Sequence, residues 1–178
     1  MIKILYKEDI NLDNLITPEM KDWYYKRTKK HIDLVKKYCQ KIYGLDPVKY
    51  EDLLNRAKEH DLSKYSEEEL KPYILLTWNY YADKHNLDFK LTSEMEKKTR
   101  EAWFHHYTVN KHHPEYYKNI EDMPDIDIAE MVADWCSVSE EMGNNPIEWA
   151  KGKIGSKFKF NEYQVKLIYE LLNNIWSK

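Results

Sequence analysis

An all-α fold, a single helical bundle of about six or seven helices, is predicted by three observations. The 178 residues include only 4 Gly and 6 Pro, too few for the many tight turns of a sandwich or barrel. Apolar residues recur at steps of three and four along most of the chain. Helix start and stop signals punctuate those stripes. The length suits one domain with its own core, placed at 17–178 behind an N-terminal arm at 1–16.

Within the arm, "MIKILY" (Met1 to Tyr6) reads as a short strand or an ordered arm. The first helix opens at Thr17 as N-cap, with Pro18 at the first helical position. Its stripe is Tyr24, Thr28, His31, Val35, Tyr38 and Ile42, and Gly44 is expected to end it as a C-terminal cap. A second helix follows Asp46 and Pro47, carries Tyr50, Leu53, Leu54 and Ala57, and ends at His60–Asp61.

Ser66 with Glu69 reads as a capping box for a third helix bearing Tyr73, Leu76, Trp78, Tyr80 and Tyr81. Ser93 with Glu96 reads as another, opening a fourth helix that runs towards His105 and His106. "NKHHPEYY" is a loop, because Pro114 disfavours helix at His113. A fifth helix spans about Asp125 to Met142 and stops at Gly143. Pro146 begins a short sixth. The last follows Asn161 and carries Val165, Ile168, Leu171, Leu172 and Ile175.

The net charge is −3, so no global basic field draws the chain to long nucleic acid. No apolar run approaches the ~20 residues of a membrane span. Cys39 and Cys136 form no metal-binding or redox motif, which with no signal peptide points to a reducing cytoplasm. The 15 Tyr and 6 Trp are expected mainly in the core, with polar tips reaching a partner or water.

Against this background four polar residues stand on apolar stripes. His31 lies on the seam of the first helix, His60 and Asp61 close the second, and Asp134 borders the apolar face of the fifth. Taken singly, a buried His or Asp commonly just hydrogen-bonds its neighbourhood. Taken together, imidazole nitrogens and carboxylate oxygens around one divalent ion satisfy every member at once.

The order His31, His60–Asp61, Asp134 resembles the HD-domain superfamily of metal-dependent phosphohydrolases. "HDLSK" is close to that superfamily's "HDxGK" form, with Ser63 where Gly often stands. "HDLSKYSEEE", "AWFHHYTVNKHH", "MVADW" and "PIEWAK" together resemble a group of bacterial and phage proteins with an HD-like core. The resemblance implies an all-helical fold in which His31, His60, Asp61 and Asp134 bind a divalent metal. It implies a small phosphorylated substrate, a nucleotide first among them, hydrolysed by metal-activated water. An oligomer is compatible with this reading.

Four of the seven histidines fall in "WFHHYTVNKHH". They are either solvated loop residues or a second metal site, with Asp61 as the bridge, as in two-metal members of the superfamily. Adjacent helical residues point about 100° apart. Of the first doublet His106 is favoured over His105, because Trp103 and Ala102 precede it at helical spacing; His112 and His113 can converge from the loop. The short spacing between the doublets is equally compatible with one ion. Asn110 and Lys111 are candidates to hold a phosphate. Lys64 can offset phosphate charge, and Glu67, like Glu68, can serve as a general acid or orient water, although both glutamates also suit a helix first turn. Mixed His and carboxylate ligands suit Mn²⁺, Fe²⁺, Co²⁺, Ni²⁺ or Zn²⁺ more than Mg²⁺. Two other classes fit the same residues: an inactive HD-like module that binds a nucleotide or protein, and a helical interaction protein without metal.

Overall fold

The computed structural model describes residues 11–176. It is all-helical, as expected, with seven α-helices: α1 Pro18–Leu45, α2 Leu53–Glu59, α3 Leu70–His85, α4 Ser93–Val109, α5 Asp125–Met142, α6 Pro146–Lys153 and α7 Glu162–Ile175. Among the described residues there is no strand, only an isolated bridge between Ile154 and Phe158. The expected strand or arm at Met1–Tyr6 lies outside the described residues. None of the helices is long and apolar enough to cross a membrane.

The chain divides into two compact units. The first comprises the described part of Met1–Tyr25 together with Lys64–His105, so the division expected at residue 16/17 lies inside it. Its core gathers Met20 and Tyr24 of α1, Tyr73 to Leu76 and Trp78 of α3, and Met95 and Ala102 of α4, with Leu12 beside them. The Tyr24 hydroxyl donates to the Lys64 carbonyl at 2.8 Å, so a buried phenol meets a backbone acceptor.

The second unit comprises Lys26–Ser63 and His106–Lys178. Here Val35, Tyr38, Cys39 and Ile42 of α1 pack with Leu53 and Ala57 of α2 and with α5 and α7. The α7 stripe is Leu167, Ile168, Leu171, Leu172 and Ile175, at the spacing that places one helix face on a core. Val165, expected on that stripe, is only half-buried, and Gln164 takes the buried place. Its amide donates to the carbonyls of Ile120, Glu121 and Met123, which settles the loop before α5. Cys39 and Cys136 are free and buried, and burial pushes the Cys136 thiol up to about 12.

Several boundary signals were displaced. Gly44 does not cap α1: the helix continues to Leu45, and the positive-φ glycines are Gly143 and Gly155. The second helix begins at Leu53 instead of after Pro47, because residues 47–52 form turns in which Asp46 caps Lys49. Ser66 and Glu69 form no capping box. Glu69 is itself the N-cap residue, in helical conformation, and its carboxylate is engaged by His105 at 2.8 Å. For α4 the cap is Thr92 and not Ser93, since the Thr92 hydroxyl accepts from the Met95 N–H at 3.3 Å. Tyr80, read as part of the α3 stripe, is exposed. By contrast Thr17 caps α1, Asn145 precedes Pro146 as the α6 cap, and Asn161 forms a full box with Gln164.

Candidate metal centre

The second unit gathers seven polar side chains into one cluster: the buried His31, His60, Asp61, His106 and His112, and the half-buried His113 and Asp134. Each arrives by a local rule. His31 follows Thr28 and precedes Val35 on the buried face of α1. The last residue of α2 is Glu59, so His60 leaves the helix in extended backbone and Asp61 turns through a left-handed conformation, φ 59°. Aspartate tolerates that region better than most residues. The turn lets adjacent side chains enter the same space, which two neighbours in a continuous helix cannot do easily. His106 comes from the last turn of α4, and His112 and His113 from the turn between α4 and Pro114. Asp134 comes from α5.

The atoms fall into two sets that share Asp61. Its Oδ2 is 3.1 Å from His31 Nε2 and 3.5 Å from His60 Nε2. Asp134 Oδ1 is 3.3 Å from the same His31 nitrogen and 3.9 Å from that of His60. Asp61 Oδ1 faces the other way, 3.3 Å from His106 Nε2 and 3.5 Å from His112 Nε2. His113 completes this second set, each residue offering one donor atom within 4.8 Å of the others.

These separations suit a metal. Bonds of ~2.1 Å to one ion put neighbouring donors ~3.0 Å apart in an octahedron and ~3.4 Å apart in a tetrahedron. Nε2 of His60 and Nε2 of His112 are buried with no hydrogen-bond partner among the described residues. A buried nitrogen in that state is costly unless something else engages its lone pair. The cluster is therefore positioned to hold a metal ion.

The surrounding groups set the tautomers. Ser137 donates its hydroxyl to the Asp134 carbonyl at 2.8 Å, so its oxygen, 3.1 Å from His31 Nδ1, is left to accept that N–H. The bare Nε2 then faces the two aspartates. Glu130 does the same for two histidines at once. Its Oε1 stands 2.8 Å from His60 Nδ1 and 3.5 Å from His112 Nδ1. Its other oxygen takes the Arg56 guanidinium at 2.8 Å, and Arg56 also pairs with Asp127, which the Tyr117 hydroxyl reaches. For His106, the Ser63 hydroxyl lies 3.2 Å from Nδ1 and is itself held by the Asn110 amide at 2.8 Å.

Electrostatics agree. Burial disfavours a charged His60, but Asp61, Glu130 and Asp134 outweigh it and raise its pKa. Burial, with His60 beside it, lowers that of His112. Glu130 is held well below the usual carboxylate range: burial opposes its charge, and the two imidazoles more than compensate.

All seven candidate ligands thus meet, including His106 in preference to His105, whose Nδ1 faces Glu69 in the first unit. The other candidates are placed differently. Asn110, expected at a phosphate, spends its amide on Ser63 and on the His106 carbonyl. Lys111 is exposed and shares a shallow pocket with Arg56, Glu59 and His60. Lys64 and Glu67 belong to the first unit. Lys64 lays its ammonium 6.0 Å from the centre of the Tyr73 ring, and Glu67 lines a surface pocket with Leu12, Lys71 and His105.

Sequence reasoning missed Glu130, Ser137 and Arg56. A signal existed for the first two: Glu130 is four residues before Asp134 and Ser137 three after it, hence on one face of α5. Arg56 had none, since only the packing of α2 on α5 brings it to Glu130.

Comparison with known proteins gives a family and nothing further. No curated protein and no solved structure matches the chain. Residues 20–174, which contain every side chain of the cluster, match one family profile, and the chain belongs to that family, the family of unknown function DUF5662.

Proposed function

We propose that the protein is a metal-dependent phosphohydrolase acting on a small phosphate ester, a nucleotide being the leading candidate. The observation that carries the reading is the carboxylate of Asp61, whose two oxygens face two separate sets of imidazoles. In this reading His31, His60, Asp61 and Asp134 hold one divalent ion, and Asp61, His106, His112 and His113 hold a second. The order and arrangement of the first four support kinship with HD-domain enzymes.

A bound divalent ion supplies charge to neutralise phosphate oxygens and makes water acidic enough to act as a nucleophile near neutral pH. The chain's own residues do the rest. Ser137 and Glu130 hold the His31, His60 and His112 nitrogens in the tautomer that ligation needs. Asp61 is nearly fully enclosed, whereas Asp134 and His113 also line a surface pocket, which gives a substrate its approach. The nitrogen-rich donor set favours Mn²⁺, Fe²⁺, Co²⁺, Ni²⁺ or Zn²⁺.

The test combines elemental analysis of the purified protein with a screen of phosphate esters in Mn²⁺ and Co²⁺. Stoichiometric metal and turnover, both lost in Asp61→Ala with helix content retained, are the expected results. Unchanged metal content in that variant would remove the reading. Full metal content without turnover of any ester would reduce the protein to a binding module.

A further inference from the structure

Beside the cluster, a pocket of about 340 Å³ opens within the second unit, between the end of α4, the turn at Pro114, α5, α6 and the segment after α6. That volume lies in the range of small-molecule sites. Asp134 and His113 belong both to its lining and to the donor cluster, one to each set. A ligand in the pocket would therefore have one end against the candidate ions.

The remaining wall includes four aromatic rings. Tyr107, Trp135, Trp149 and Phe158 line it. Trp149 meets Trp135 edge to face at 4.7 Å, and Trp135 lies parallel to Phe158 at 6.2 Å. Three large apolar side chains at this wall stay in solvent: Val138 is 41%, Met142 63% and Trp149 40% exposed. Scattered exposed hydrophobics need no explanation, but three grouped around a concave site beside a polar cluster fit a ligand surface.

The charge balance narrows the ligand. Apart from Asp134 and His113, the charged lining residues are Lys157 and Glu115, and these pair with each other at 2.8 Å. The Lys157 ammonium also lies 4.7 Å from the centre of the Phe158 ring. A second or third phosphate here would face Glu115 with only an already paired cation to meet it. A bare sugar would lose water hydrogen bonds against aromatic walls. A flat ring would stack.

We infer that this pocket selects phosphate monoesters in which a single phosphate is joined to a group bearing a flat aromatic ring. The inference rests on the phosphohydrolase reading and names its substrate class. Hydrolysis adds one water across the ester: its oxygen joins phosphorus, and the ester oxygen leaves with the bonding pair and takes a proton. The products are the alcohol and inorganic phosphate.

Adenosine 5′-monophosphate and ribose 5-phosphate both carry their phosphate on the primary 5-hydroxyl of a ribose and differ by the ring, so they isolate the pocket's contribution. With Mn²⁺-loaded protein, kcat/KM for the nucleotide is expected at least tenfold above that for ribose 5-phosphate and for adenosine triphosphate. Trp149→Ala collapses the ratio between the first two towards one, and Trp149→Phe keeps most of it. Calorimetric titration of the same loaded proteins with the same three compounds follows the same order. Equal kcat/KM for the two monoesters, or a ratio indifferent to Trp149→Ala, overturns the inference and leaves the phosphohydrolase reading standing. If metal binds and none of the compounds turns over, that reading fails. Binding alone then decides the pocket: preference for the nucleotide that Trp149→Ala removes supports it, and equal or absent binding overturns it.

Discussion

Glu130 Oε1 stands 2.8 Å from His60 Nδ1 and fixes which nitrogen of that imidazole carries its proton. The same oxygen reaches His112 at 3.5 Å. One carboxylate thus prepares a histidine from each donor set, and Arg56 holds its other oxygen in place.

Glu130→Gln tests that arrangement. The amide keeps an oxygen for one histidine, but its neutral group cannot support both imidazoles or balance Arg56. Metal affinity, measured by competition with a chelator, is expected to fall by roughly 10- to 100-fold, the usual effect of losing a group that orients a ligand. Helix content should stay near wild type. Undiminished affinity would show that the histidines are oriented without it.

Arg56→Ala addresses stability. The guanidinium meets both Asp127 and Glu130, and its removal leaves two buried carboxylates without their cation. A loss of about 3 kcal/mol in urea unfolding is expected. Combining Arg56→Met with Glu130→Gln should recover part of it, because the uncompensated charge is then smaller. A cost below about 1 kcal/mol would mean that water already screens the pair.

The pH dependence of stability should change sign when metal is added. The folded-state pKa of His60 is raised, by Asp61, Glu130 and Asp134 against the effect of burial. Such a group stabilises most below its unfolded pKa, and the contribution is lost as pH rises through the folded value. The lowered pKa of His112 acts the opposite way, but only below the ordinary histidine range. As pH rises above the ordinary histidine range the metal-free protein should therefore lose Tm. With Mn²⁺ or Zn²⁺ present, deprotonation favours ligation and Tm should hold or rise across the same window. Parallel curves with and without metal would contradict ligation at His60.

Asn161→Ala provides a control away from the centre. The Asn161 side chain accepts from the Gln164 N–H at 2.9 Å and closes the start of α7. About 1 kcal/mol of stability should be lost. Metal affinity, read by the same chelator competition, should not change.

Local signals carried much of this protein. The helical class followed from the stripes on α1, α5 and α7 and from the scarcity of glycine, because a helix buries one face at a period that a linear pattern reveals. Helix starts at Thr17, Pro146 and after Asn161 were equally legible, since caps and a first-turn proline act within two or three residues of the boundary. His31, His60, Asp61 and Asp134 were visible as polar groups in apolar places, where burial without a partner is expensive.

Other features depended on contacts between residues far apart in the chain. Ser66 and Glu69 had the spacing of a capping box, but Glu69 met His105 instead, and that competing bond has no trace in local sequence. Asn110 matched a phosphate ligand in isolation and became a brace for Ser63 and His106 once α4 and the turn after α2 came together. The pairing of Arg56 with Glu130 across 74 residues, and the pocket of Trp135, Trp149 and Phe158 beside Asp134, arise only where helices pack. Periodicity says which face of a helix is buried; the partner waiting there is chosen by the tertiary arrangement, because burial is non-directional whereas hydrogen bonds and ligation need particular atoms in particular places.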